Sequence, residues 1–310
     1  MGCMSMIAIP GWQMTIPVIP IPYQFTGASL SRVIAGVVDN SPNGLPPELH
    51  FDFRPLNFIL PDGVVLLSNL FHWLHQKKTK VILLNLEQPS EAVRFLDDSL
   101  FFEQHVGRKL LAYASPRSTT RPLKQITRDE CHDWLENDLI PWLSGKLNLS
   151  PASFAALKTS ISEIFNNIRD HAKLNVGSIF VQFFPKQNRI NIAVADFGPG
   201  IPATVARVQK GLTDSQAIML AVEDGFTTKS VPTNMGVGLD YLLKTAVLTN
   251  GGHVTIYSNQ AIVTFVNRDG AISGQAHENV GFIPGTTIDI CLRTDTFEMI
   301  EDEREDFRWD

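Results

Sequence analysis

Along the first third of the chain the apolar positions come in short, dense runs. Glu48–Phe53 predicts a strand and Lys80–Leu86 predicts a buried one. Between them Val64, Val65, Leu66, Leu67, Leu70, Phe71 and Leu74 crowd Gly63–Gln76, a stretch of helical length. A second helix is predicted over Glu91–Phe102. Strand, helix, strand, helix is the order of a small α/β unit with some parallel pairing. The polar, proline-bounded stretch from Ser115 to Pro122 marks a boundary, and a short helix around Arg128–Leu143 follows it. Ser150 then stands as an N-cap ahead of Pro151 at a first helical position.

Beyond that point the spacing changes. In a helix predicted over Leu157–Lys173, Ile161, Ile164, Phe165, Ile168 and Ala172 share one face and must meet a core. Glu163, Asn167 and His171 recur every four residues and form a polar ridge on another side. Such a ridge is commonly a solvated face, so it carries chemistry only where the rest of the chain supplies partners. Ile190, Ile192 and Val194 alternate in a strand over Arg189–Ala195. Short helices are predicted over Asp214–Val222 and Asp240–Leu248, and a last alternating strand opens at Gly285-Thr286-Thr287, with Ile288 and Ile290.

A length of 310 residues suggests about two domains. Hydrophobic content of 44% and charged content of 19% describe a soluble globular chain with ample core material. The net charge is −6 and no basic stripe stands out, so composition gives no nucleic-acid signal. Cys3, Cys131 and Cys291 fall in no paired spacing, which suits a reducing cytoplasm and neither a disulfide framework nor a zinc site. The apolar stretch from Met1 to Pro22 is interrupted by Pro10, Pro17, Pro20 and Pro22, which a membrane-spanning helix would not accommodate. It lacks the basic start of a signal peptide, and Met6 stands where myristoylation wants Ser or Thr. Residues 1–25 are therefore expected to be an extended arm on a cytoplasmic protein with no membrane contact.

Three segments can carry ligand chemistry. Asp196 ends a strand and is followed by Gly198 and Gly200, so a carboxylate that can accept from an exocyclic amine stands beside backbone that a ligand can approach closely. Met235-Gly236-Val237-Gly238-Leu239 precedes a helix, where backbone N–H groups favour an anion. No Gly-x-x-x-x-Gly-Lys-Ser/Thr stretch exists, which excludes a P-loop. The ridge residues Glu163 and Asn167 are the third.

In their order, "EIFNNIRDHA", "DFGPGIP", "GVGL" and "GTT" resemble the four motifs of the GHKL ATPases, the family of gyrase-type clamps, sensor kinases and anti-sigma kinases; "GFTTK" sits where these proteins end their ATP lid. The resemblance covers about residues 155–292. It implies a two-layer α/β sandwich of the Bergerat type, with ATP and Mg²⁺ as ligands. By the resemblance, Asn167 ligates Mg²⁺ and Asp196 reads the adenine amino group with Thr286 in support. Gly198, Gly200 and Ile201 form the first glycine box. Gly236, Val237, Gly238 and Leu239 form the second, which holds the phosphates. Thr228 and Lys229 end the lid, Lys229 being either a phosphate cation or a solvated loop lysine. Glu163 falls where the family places its catalytic base, the alternative being a surface glutamate. His171 is expected to be structural. The segment "FRPLNFILPDGVVLL" with "KVILLNL" looks like a STAS domain, or else a generic α/β unit, and Leu60-Pro61-Asp62-Gly63 lacks the serine that kinase-regulated STAS domains offer.

The expected organisation is thus an arm over 1–25, a STAS-like α/β domain over 26–122, a helical connector over 123–150, a GHKL domain over 151–295 and an acidic tail over 296–310. The expected function is that of an Mg-ATP-binding regulatory protein, an ATPase or an anti-sigma-like serine/threonine kinase acting on a protein partner, a STAS-like protein being one candidate. A dimerising clamp or defence-type ATPase is the alternative; a clamp would need a cation such as Lys229 in place of a transducer lysine. A two-component histidine kinase fits less well. His132 lies 35 residues before Asn167, room for one useful helix rather than a dimerisation hairpin, since a helix rises about 1.5 Å per residue.

Overall fold

The computed structural model describes residues 16–39, 44–171, 176–196, 198–226 and 238–300, with the side chains of 169–171 excepted. Its N-terminal unit is a parallel βαβαβ arrangement. Strands β1 (Val18–Pro20), β3 (Glu48–Asp52) and β5 (Lys80–Leu84) lie side by side in sequence order, all parallel. Helices α1 (Gly27–Asp39) and α2 (Pro61–Gln76) make the crossovers. Right-handed crossovers running in one direction leave both helices on one face of a sheet. A two-stranded pair, β2 (Gln24–Phe25) with β4 (Phe58–Ile59), sits by the starts of the two helices. The arm expected over 1–25 is corrected by these strands: residues 18–25 belong to the unit, with Ile19, Ile21 and Phe25 buried in its core. Residues 1–15 lie outside the described residues.

Two further differences have local causes. The single helix expected over Glu91–Phe102 is split into α3 (Glu91–Asp98) and α4 (Phe101–Val106) by Leu100, whose φ of 64° breaks the α conformation. The connector expected over 123–150 begins as strand. Leu123 and Ile126 turn inward within β6 (Thr120–Thr127), and a capping box between Thr127 and Glu130 then starts α5 (Arg128–Trp134). A π-helical turn at Leu135–Leu139 carries the chain into α6 (Ile140–Leu147).

The second sheet has five strands in the order β6, β7 (Val176–Phe184), β8 (Arg189–Asp196), β10 (Ala271–Arg293), β9 (His253–Arg268), each antiparallel to its neighbour. On its front face Ile179, Val181, Ile192, Val194, Ile256, Ile288 and Ile290 form one core with the helical layer. That layer contains α5, α6, α7 (Ala155–His171) and α10 (Gly238–Leu243). Ile161, Ile164, Phe165 and Ile168 are the α7 face that meets this core, as their spacing predicts; Ala172 lies outside the described residues. β9 and β10 form a long hairpin turning at Asp269-Gly270, both at positive φ. Thr286 therefore does not open a strand. It follows two register shifts inside β10, and Gly285 lies within the second, between Ile283 and Thr286, at φ 75°.

The rear face of this sheet is covered by α2. Residues from Pro61 to Phe71, and Leu74, are all buried, because the helix lies between the parallel sheet on one side and β7, β8 and β10 on the other. A helix buried from Pro61 to Phe71 needs cover on every side over that stretch. Burying each of its Val, Leu and Phe side chains is worth roughly 1.5–3 kcal/mol, whereas a single hydrogen bond nets about 1 kcal/mol. Apolar burial holds the unit to the sheet; its polar contacts fix where it sits.

Those contacts form a seam. The buried Asp62 carboxylate accepts from Gly27 N at 2.7 Å, Gly63 N at 2.8 Å and the Tyr257 hydroxyl at 3.1 Å, so one side chain serves the starts of α1 and α2 and ties both to β9. Asp289 lies in the same seam, with Asn191 Nδ2 3.5 Å from each of its oxygens. Burial, and then the neighbouring Asp62, push the Asp289 carboxyl up to about 8. Its folded value thus lies above the unfolded one. The stability from its bound proton is complete below about pH 4 and is lost as pH rises through about 8. Asp289→Asn removes that loss. Its melting temperature relative to the native chain is expected to rise by on the order of 5 °C between pH 5 and pH 9, read by thermal unfolding. A difference independent of pH would contradict this assignment.

Candidate functional site

Asp196 ends β8. Side chains alternate along a strand, and Ile192 and Val194 face front, so the Asp196 carboxyl is on the side of α7. Its oxygen Oδ1 accepts from Gly198 N at 2.6 Å, and the carboxyl also accepts from the backbone and hydroxyl of Thr286. Burial nevertheless outweighs these bonds and raises the carboxyl to about 6.

Around it the backbone is packed to contact. A Cβ on Gly285 would collide with the Asp196 carbonyl oxygen, and one on Gly200 would stand 2.7 Å from Ser258 Oγ and 3.0 Å from the Gly285 carbonyl. Both glycines have positive φ, 75° and 87°. Ser258, fully buried on β9 and paired in register with Thr286, joins the pieces. Its Oγ accepts from Ile201 N at 3.0 Å, donates to the Gly285 carbonyl at 2.8 Å and lies 3.4 Å from Thr286 Oγ1. Asp196, Gly198, Gly200, Ile201 and Thr286 are thereby brought together. Ser258 escapes sequence reasoning because a lone serine in an alternating strand carries no motif.

A second group meets where α10 begins. A Cβ on Gly238 would lie 3.1 Å from Asn167 Nδ2 and 3.7 Å from Glu163 Oε2. Glu163 and Asn167 are half-buried on α7, and Glu163 Oε1 accepts from Asn166 Nδ2 at 3.3 Å. The residue after Asn167, Ile168, packs onto Gly177, which is the register partner of Asp196. The ridge on α7 and the carboxyl at the end of β8 therefore share one end of the front face. Leu239 turns partly into the helical core rather than standing free. Thr228, Lys229, Gly236 and Val237 lie outside the described residues, as does the side chain of His171. His132 is an exposed surface residue.

The segment between Ile201 and the second glycine group includes α8 (Ile201–Val205) and α9 (Asp214–Ala221), the latter started by a capping box between Thr213 and Gln216. Lys244, just past α10, reaches both Asp240 at 2.7 Å and Asp224 at 3.4 Å, which links that segment to the start of the helix. Among the described residues no group of three or more His, Cys, Asp or Glu could hold a metal by itself. No helix among them is long and apolar enough to cross a membrane.

No known protein-family profile matches the chain, and no curated protein sequence matches it. Among solved structures, the topoisomerase IV ATP-binding domain of Francisella tularensis, in complex with a small-molecule inhibitor, is similar at 16% identity and a TM-score of 0.27. The match covers 60% of this chain and 46% of that one, so the chain spans less than half of that protein's length.

Ser258→Ala leaves the Ile201 N–H and a buried carbonyl without their partner, at about 1–3 kcal/mol. Its melting temperature is expected to fall by roughly 3–8 °C, with faster amide exchange at Ile201. An unchanged melt and unchanged exchange would show that Ser258 does not hold these segments together.

Proposed function

We propose that this chain binds Mg-ATP at the front-face end of the five-stranded sheet. There it passes the γ-phosphate to water or to a hydroxyl of a partner protein, as a regulatory ATPase or serine/threonine kinase of GHKL type. The observation that carries this is the meeting of Glu163, Asn167 and Gly238 at one point, on the same end of the sheet as Asp196 and Thr286. A nucleotide needs an adenine reader, a phosphate cradle, a metal ligand and a base. These residues would supply one of each at one end of the sheet.

The donor set suits magnesium. An amide and a carboxylate one helical turn apart are hard oxygen ligands, and Mg²⁺ takes the rest of its shell from phosphate and water. Asn167 would be its protein ligand; when bound, the ion neutralises phosphate charge. Glu163, four residues earlier, is placed to take the proton from the attacking water or hydroxyl. The N–H groups at the start of α10, Gly238 among them, would donate to the phosphates. Asp196, ionised, accepts from the adenine amino group, and Thr286 holds its carboxyl in place. A STAS-type protein is the partner we propose, by the resemblance of the segment from Phe53 to Leu86 to that family.

Asn167→Ala is expected to lower Mg-dependent ATP affinity by tenfold or more in calorimetry, since it removes the metal's protein ligand. Affinity kept at the native value would sink this role. Glu163→Gln should bind ATP normally and lose phosphate release or transfer by about 10²–10⁴-fold; undiminished turnover would remove Glu163 as the base. The pH dependence has a definite sign. Below about pH 6 Asp196 gains a proton and becomes a donor, which suits the keto group of inosine triphosphate rather than the amine of ATP. The ATP-to-ITP affinity ratio, in which phosphate titration cancels, should fall by up to about tenfold per pH unit below 6. A ratio constant from pH 7.5 to pH 5 would contradict the assignment.

A further inference from the structure

The nucleotide site proposed above is assembled on the front face, yet one of its contacts comes from behind the sheet. Asn69, about two turns into α2 and almost fully buried, donates its Nδ2 to the backbone carbonyl of Asp196 at 3.2 Å. The amide cannot be reversed without aiming Oδ1 at that carbonyl oxygen, so the donor role is fixed by chemistry. The same carbonyl is pressed against Gly285, where only a hydrogen fits. The last peptide of β8 is thus gripped from two sides, by the bulged part of β10 and by the N-terminal unit. A shift of that peptide moves the Asp196 carboxyl, whose bonds to Gly198 and Thr286 are made from the same short stretch. Asn69 is a costly residue to bury here, because among the described residues its Oδ1 has no partner. An apolar residue would pack as well between Leu66 and Leu70.

We propose that Asn69 is a positioning residue for nucleotide recognition: from the N-terminal unit it fixes the end of β8, and so sets how strongly Asp196 prefers a base with an exocyclic amine. This rests on the adenine-reading role of Asp196. It also makes the N-terminal unit part of the nucleotide site rather than an appended domain. Coupling of this kind is reciprocal, so a base that engages Asp196 steadies α2 in return.

The test is the ATP-to-ITP affinity ratio at pH 7.5 in the full chain. Asn69→Ala and the near-isosteric Asn69→Leu, which carries no donor at any pH, should each lower the ratio about fivefold, the equivalent of one hydrogen bond. Val65→Ala, in the same buried helix but without a polar contact to β8, loosens the packing and should leave the ratio at the native value. Asn69 variants that melt no lower than Val65→Ala and keep the native ratio would overturn the proposal. A measurement on the native chain covers the case of variants that do not fold. At equal saturation ATP should slow amide exchange in residues 66–70 more than ITP does, and equal protection would also overturn it. A native chain that binds neither nucleotide, or both alike, would instead overturn the adenine-reading role itself.

Discussion

The two-sided burial of α2 is the constraint on which the rest of the molecule depends. From Pro61 to Phe71 its residues are all buried, so this part of the helix is stable only between two sheets. The parallel sheet supplies one cover and the five-stranded sheet the other. This joins what the sequence presents as two domains through a shared core, in which Phe180, Ala193 and Ala195 of the second sheet pack with the N-terminal unit.

A shared apolar core fixes proximity but not register. Register comes from the polar groups in the seam, and they carry a penalty. Asp62 offsets its burial by accepting from two helix starts and a tyrosine. For Asp289 burial and the neighbouring Asp62 outweigh the long contact to Asn191 and raise its carboxyl. Asn69 spends its donor on the end of β8. That strand end also carries Asp196, so the contact that locates the N-terminal unit on the sheet also touches the segment that forms the site. On the front face the same end of the sheet receives Gly198, Gly200 and Thr286 through Ser258, and Glu163 and Asn167 through α7.

Much of this was legible as local pattern. The α7 face at 3.6-residue spacing, the alternation in β8 and the dense apolar run of α2 each predict their element and its buried side. What escaped was set by tertiary contact. Leu100 breaks a helix with no glycine or proline to announce it, although Ser99 Oγ folds back onto the Phe95 carbonyl beside it. The Asp269-Gly270 turn is a hairpin signal of the ordinary kind, and missing it placed the start of β10 some fifteen residues late. Ser258 and Asn69 were invisible for a deeper reason. Each bonds backbone groups far along the chain, and backbone carries no residue identity that a motif could record. The candidate site residues were legible as such because their order along the chain resembles a family. Their spatial meeting follows from the sheet register and from the packing of α7 over Gly177.

The central claim, that the front-face end of this sheet is a nucleotide site, is tested most directly by a crystal structure with Mg²⁺ and a non-hydrolysable ATP analogue. The account predicts the adenine amine within hydrogen-bond distance of the Asp196 carboxylate, the metal on the Asn167 amide and the phosphates at the start of α10. A nucleotide bound elsewhere on the molecule, or crystals that take up none at saturating concentration, would contradict it.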